Sequence, residues 1–496
     1  MRHRSVVTGA LALVVASCAA LTLAGCTPAS SAASDYSQRV SWHACGQGGA
    51  KCATIQVPLD WSKPDGTQIH VAVAEVAATG KRYGAIVMDP GGPGASGVDY
   101  VRDAPGSIVD PAVQEHYDII GLDQRGVGQA SAVDCYSQSQ LAHYYFDDKP
   151  GPVESPAWVD ATIAANGKLA AACLARSGPL VMHDDTASAA RDLDVVRTAV
   201  GDAKLDYLGY SYGSDLGLEY ARLFPKNVGR FVLDSVDPPT LTGEQFDVQQ
   251  ASGFEDVLKQ YLGFCLSQPA CPFTGTVQDA TNGVTALLSQ VERHPLPDGD
   301  RSLNADDLVT ALDEALYSTQ LWTPLTQALD DVKSGDPTAA FDLADEYYER
   351  ADDGTYPNLI EDFLVTTCAD HSFPETPSAM AAEADEINRA APVLGPYAGY
   401  TGTACAKLPH HPVNHSPVVA EGSDPIVLVS ATHDPATPHS WAVEVEKQLA
   451  NGYLITRDGS GHGSYPGISS CVDKAVDAYF VNGAVPSSRN VSCPTD

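Results

Sequence analysis

Residues 204–225, KLDYLGYSYGSDLGLEYARLFP, place a serine at the centre of Gly209-Tyr210-Ser211-Tyr212-Gly213, and the residues around it limit the fold more than any other stretch. Residues 205–208 are a short apolar and aromatic run fit for a buried parallel strand. Leu216, Tyr220 and Leu223 then recur at helical spacing until Pro225 stops the helix. A strand, a sharp turn and a helix with serine at the turn make a nucleophile elbow, from which the side chain projects away from the sheet. Glycines two before and two after the serine keep β-carbons out of the crowded turn. The rings of Tyr210 and Tyr212 are not demanded by that geometry but are placed to wall a pocket, so Tyr210 is a substrate-binding candidate. A bare Gly-x-Ser-x-Gly arises by chance in roughly one chain of this length in five, so the strand and helix carry the reading.

A serine in such an elbow needs an oxyanion hole, an acid and a histidine, in the chain order hole, serine, acid, histidine. All four are present in that order. Residues 85–88 read as a buried strand running into Asp89-Pro90-Gly91-Gly92-Pro93-Gly94, whose glycines let backbone N–H groups approach a substrate. Gly92 is the candidate donor there, and the N–H of Tyr212 is the second, so two fixed dipoles meet the oxygen of a tetrahedral intermediate. Downstream, the apolar strand 425–430 empties into Ala431-Thr432-His433-Asp434-Pro435-Ala436-Thr437-Pro438. Asp434 lies past the strand end, where α/β folds carry catalytic loops, and is the candidate acid; Asp424 lies at the wrong end. His433 adjoins Asp434, and adjacent residues rarely face one another, so it reads as a loop histidine. A further strand at 453–456 precedes Gly459-Ser460-Gly461-His462-Gly463, making His462 the candidate base. His371, His410 and His411 read as solvated or structural.

These stretches, with Asp123-Gln124-Arg125-Gly126-Val127-Gly128 after the strand 117–122, resemble the proline iminopeptidase family of α/β-hydrolase serine peptidases. The resemblance is closer to its secreted tripeptidyl aminopeptidase-like branch, whose final region has two cysteines around a Tyr-x-x-x-Gly element, here Cys471, Tyr479, Gly483 and Cys493. Asp89 departs from the many relatives with histidine at that position. The resemblance implies an α/β-hydrolase fold, a mostly parallel eight-stranded sheet flanked by helices, with an inserted, mainly helical cap. It also implies a serine aminopeptidase that releases tripeptides or other short peptides from free N-termini and needs no cofactor.

The insertion is legible in the residues. After the strand 230–233 the alternation of strands and helices stops, and apolar residues recur at three- and four-residue spacing in 254–266, 277–291, 306–316 and 339–349. The predicted organisation is a leader at 1–26, a flexible tether at 27–40, hydrolase core at 41–236, a helical cap at 237–415 and core again at 416–496. A cap between the sixth strand and the acid-bearing strand covers the serine and excludes water. An aminopeptidase binds its substrate's ammonium with carboxylates at a fixed distance from the nucleophile. Asp237, Glu244 and Asp247, early in the insertion, are candidates, although a lone acid is more often a solvated surface group.

Arg2 and Arg4, the apolar stretch 6–23 and Leu23-Ala24-Gly25-Cys26 resemble a bacterial lipoprotein leader, in which Cys26 is acylated and becomes the first mature residue. This predicts an exported enzyme, on the outer face of the cytoplasmic membrane or released, touching the membrane only through its lipid. Of 12 cysteines, Cys18 and Cys26 belong to the leader, and the even remainder suits an oxidising compartment. Spacing suggests Cys45 with Cys52, Cys135 with Cys173, Cys265 with Cys271, Cys368 with Cys405, and Cys471 with Cys493, one of roughly 900 pairings. No Cys-x-x-Cys or His-Glu-x-x-His is present, so no metal is expected. With 63 acidic and 29 basic residues the net charge is -34, which disfavours nucleic acid and anionic lipid as partners. Two rivals remain: a carboxylic-ester hydrolase with the same three residues, and an inactive binding protein on a hydrolase scaffold.

Overall fold

A computed structural model describes residues 38–46, 49–299, 301–408 and 415–495. The leader, Cys26, the tether up to residue 37, His410 and His411 lie outside these residues. The strands in chain order are β1 (His43–Ala44), β2 (Lys51–Pro58), β3 (Gln68–Val76), β4 (Gly84–Asp89), β5 (Tyr117–Asp123), β6 (Leu205–Tyr210), β7 (Val228–Asp234), β8 (Leu296–Asp298), β9 (Arg301–Leu303), β10 (Ile426–His433), β11 (Gly452–Ser460) and β12 (Asn490–Cys493). Ten of them form one sheet in the order β1-β2-β3-β5-β4-β6-β7-β10-β11-β12. From β5 to β12 every pair is parallel, whereas β1, β2 and β3 join antiparallel at one edge. The expected eight strands are thus extended by two short edge strands, β1 and β12.

The central strands are continuous apolar runs because helices cover both faces of a parallel sheet. Every residue of β4 and of β5 is buried. Crossing from β4 to β6 and on to β7 and β10 puts their C-terminal ends along one edge. Asp89, Tyr210, Asp234 and His433 close these strands there, where open α/β sheets bind ligands.

The chain between β7 and β10 is mainly helical, with β8 and β9 as a small hairpin. Its helices start where capping boxes satisfy their first N–H groups: Thr242 with Gln245 opens Gly243–Leu266, Thr276 with Asp279 opens Val277–Arg293, and Asn304 with Asp307 opens Ala305–Tyr317. These helices share a core of their own, built around Leu258, Leu262, Leu312 and Leu329. A second segment joins this layer. The helices Gln138–Phe146 and Pro156–Ser177, which precede the serine in the chain, pack Tyr145 on Tyr356, and Leu169 and Cys173 beside Val365 and Ala404. Five disulfides pair Cys45 with Cys52, Cys135 with Cys173, Cys265 with Cys271, Cys368 with Cys405, and Cys471 with Cys493.

Candidate active site

Ser211 sits between β6 and the helix Tyr212–Leu223 at φ 54°, ψ −125°, outside the regions a serine ordinarily occupies. Its N–H is held by the Asp234 carbonyl at 3.0 Å. The turn is closed by contacts that only glycine allows. A β-carbon at Gly209 would lie 2.3 Å from the Gly213 carbonyl oxygen, and one at Gly91 would lie 2.4 Å from the Tyr210 carbonyl oxygen. The loop after β4 therefore presses directly on the elbow.

Within that loop the N–H of Gly91 donates to the Asp89 carboxylate at 2.9 Å, which turns the next peptide away from the strand. The N–H of Gly92 has no partner among the described residues. Tyr212 is the first residue of its helix, so its N–H lacks a carbonyl four residues back and sits at the positive end of the helix dipole. Burial pushes the Asp89 carboxyl up to about 7.

Asp434, beyond β10, is fully buried and accepts four hydrogen bonds. Oδ1 takes the N–H of Ala436 at 3.1 Å, the N–H of Thr437 at 2.9 Å and Nδ1 of His462 at 2.8 Å; Oδ2 takes the Ser235 hydroxyl at 2.7 Å. With Nδ1–H donated to the acid, Nε2 of His462 is the free basic nitrogen. The histidine loop is pinned from several sides. The N–H of His462 donates to the Tyr317 carbonyl at 2.8 Å, and the Tyr317 ring stands edge-on to the imidazole at 5.2 Å. The N–H of Gly463 donates to Ser235 Oγ at 2.7 Å. The Arg457 guanidinium holds Ser464 Oγ and the carbonyls of Ser460 and Gly461 at 3.0, 3.0 and 3.3 Å. Burial works against the imidazolium, but Asp434, with Asp234 and Asp237 nearby, outweighs it and raises the His462 pKa. Asp234, which accepts the N–H groups of Ser464 and Tyr465, is pushed up to about 6 by burial.

Above this layer lies a cavity of about 410 Å³ between the insertion and the helices Gln138–Phe146 and Pro156–Ser177. Its walls are rich in rings, among them Trp158, Phe246, Phe254, Tyr317 and Tyr347. Two of its residues adjoin the lower layer, Tyr317, which touches His462, and Ile360, which follows Leu359, whose carbonyl abuts Gly94; Ser211, His462 and Gly92 are not among the lining residues. Asp247 and Asp313 line it.

Residues 391–493 match a family model described as "TAP-like protein". The chain is 36% identical over 447 residues to "Carboxylesterase B" of Mycobacterium tuberculosis, covering 88% of this chain and 85% of the relative. It is 32% identical over 502 residues to "Serine protease Hip1" of the same organism, covering 95% of each. With "Tripeptidyl aminopeptidase" of Streptomyces coelicolor it shares 30% over 459 residues, covering 89% and 83%. The chain belongs to the TAP-like family of α/β-hydrolases. As a member it is a serine hydrolase.

In this TAP-like hydrolase, Ser211, Gly92, Tyr212, Asp434 and His462 all lie in loops or helix starts at the C-terminal ends of β4, β6, β10 and β11. Asp237 is buried within electrostatic reach of His462. Two substrate-binding candidates fall elsewhere. Glu244 is exposed on the first turn of its helix, and the Tyr210 hydroxyl is turned down to the Tyr465 carbonyl at 3.1 Å; neither lines the cavity. His433 pairs with Asp256 at 2.6 Å, and burial lowers the pKa of His371 to about 4. The sequence reading missed Ser235, Tyr317, Arg457 and Asp313. None of the four carries a pattern of its own, although Asp313 and Tyr317 lie four residues apart on the same helical face.

Proposed function

We propose that this TAP-like hydrolase is an exported serine exopeptidase that cuts short peptides from free N-termini. Ser211 attacks the carbonyl while Nε2 of His462 takes its proton and passes it to the leaving amine. Asp434 keeps Nδ1–H in place, and water then hydrolyses the acyl-enzyme. The N–H groups of Gly92 and Tyr212 meet the negative oxygen. The observation that carries this reading is the His462 to Asp434 hydrogen bond of 2.8 Å, beside an elbow that holds Ser211 at positive φ. Asp247 and Asp313 supply carboxylates for the substrate's ammonium, in a cavity that excludes water. The insertion at 237–415 acts as the lid. Five disulfides support an oxidising destination, and the leader ending at Cys26 supports a lipid anchor.

A panel of chromogenic peptides tests the proposal. Free-amine tripeptide substrates are expected to turn over and their N-acetylated counterparts to fail, with no turnover by Ser211→Ala. Equal cleavage of blocked and free peptides contradicts the exopeptidase reading. The second reading, a carboxylic-ester hydrolase with the same three residues, is favoured by the name of the 36% identical relative. It predicts turnover of acyl esters with no peptide cleaved.

A further inference from the structure

The cavity walls are unbalanced in charge. Lys149 is the one cation among the lining residues, and it is already engaged, 2.7 Å from Asp306 and over the Trp158 ring at 5.5 Å. Two lining carboxylates have no such partner. Asp313 is half-buried on the cavity wall and accepts no hydrogen bond among the described residues, and Asp247, also half-buried, has only a long contact of 3.5 Å with the Thr401 hydroxyl. About a third of the lining residues are aromatic, and ring faces attract cations and repel anions. A carboxylate withdrawn from water with no donor is costly unless a proton or a cation neutralises it.

We propose that this cavity is a charge-selective subsite. It accepts neutral or cationic N-terminal peptide segments and rejects those with Asp or Glu side chains, and Asp313 and Asp247 are the discriminating residues. The inference rests on the peptidase reading for its substrate class. Asp313 lies one helical turn, about 6 Å along the axis, before Tyr317, which contacts His462. A cation bound there is thus held close to the reacting centre. An entering carboxylate finds no free lysine or arginine among the lining residues and gives up water for no counter-charge, and it adds its charge to those of Asp313 and Asp247 wherever these are ionised.

Both acids hold their protons to a higher pH than an ordinary carboxyl group does. Burial, with Glu314 adding to it, pushes Asp313 up to about 8; Tyr317 and Tyr347 also face it. Burial, with Glu383 adding to it, does the same to Asp247. A cationic segment replaces those protons, which leave to solvent.

The test uses free-amine peptides that differ only at the second residue: lysine, leucine or glutamate. With the native chain at pH 7.5, kcat/KM is expected to be at least about 30-fold lower for the glutamate peptide than for the lysine peptide. In Asp313→Asn and in Asp247→Asn, each checked by its thermal unfolding, the ratio shrinks because glutamate peptides improve and lysine peptides weaken. Calorimetric binding of the same peptides to Ser211→Ala reads the filter without cleavage. Tighter binding of the lysine peptide there, with no cleavage by the native chain, keeps the filter and removes the peptidase reading. Equal affinity for the lysine and glutamate peptides, or a preference unchanged in both asparagine variants, overturns the filter.

Discussion

Two sets of carboxylates, one buried and one half-buried, divide the molecule. At the ends of the sheet strands, Asp434 accepts four hydrogen bonds and Asp234 accepts two backbone N–H groups. In the cavity above, Asp313 accepts none, and Asp247 has a single long contact. The first set already has its hydrogen-bond donors, so in the proposed reaction His462 would be oriented without reorganisation. The second set has few donors among the described residues, which is why the proposed subsite assigns it a cationic ligand. The two sets thus differ both in burial and in the donors around each acid.

The comparison breaks first at Asp434. Asp434→Asn keeps the shape but loses the charge that holds Nδ1–H, and kcat/KM on a free-amine peptide is expected to fall about 10⁴-fold. A fall of less than tenfold would mean that the four hydrogen bonds serve folding alone.

Ser235→Ala sharpens it. The hydroxyl bridges Asp434 and the N–H of Gly463, so its loss unsettles acid and histidine together. A hydrogen bond to a charged group is worth about 1.5–3 kcal/mol, and kcat should drop about tenfold with KM nearly constant. The acid limb of the pH profile should move upward, because a less solvated Asp434 holds the imidazolium more firmly. In the native chain that limb is expected above the ordinary histidine value, since Asp434 raises the His462 pKa. Activity is lost as pH falls through it, because a protonated His462 cannot act as base. A limb below pH 6, read from kcat/KM, contradicts this.

The smallest effect is on stability. Asp89 and Asp237 are pushed up to about 7, and Asp247 and Asp313 to about 8, each first by burial. Carboxyl groups whose pKa is higher folded than unfolded favour the folded state at low pH. That advantage is lost as pH rises from about 4 through the folded values. The Tm should therefore fall by several degrees between about pH 5 and pH 9, and Asp313→Asn should flatten the curve. A Tm that rises across this range breaks the assignment of these acids as proton-bearing.

Much of the lower layer was legible because each part follows an apolar strand directly. The runs before Asp89, Ser211, Asp434 and His462 are buried parallel strands, and small residues after them mark the turns. Ser235 was not legible. One serine after a strand has no pattern, and its reach to Asp434 follows from the register that sets Asp234 beside Val429. Asp313 was hidden among the acids at 306, 307 and 314, where an inward carboxylate looks like part of a solvated face. The helices before the nucleophile strand were assigned to the core by chain order, since periodicity tells which face a helix buries but not against what. Glu244 and Asp247 read alike as early acids of the insertion. Only their helical phase, with one carboxylate exposed and the other on the cavity wall, separates them.

The most direct measurement is active-site labelling of the purified chain with a fluorophosphonate, followed by peptide mapping. The account predicts one phosphonylated residue, Ser211, with labelling slowed by at least about 10³-fold in a His462→Ala variant. A label on another residue, or labelling of Ser211 that is indifferent to His462, would contradict it.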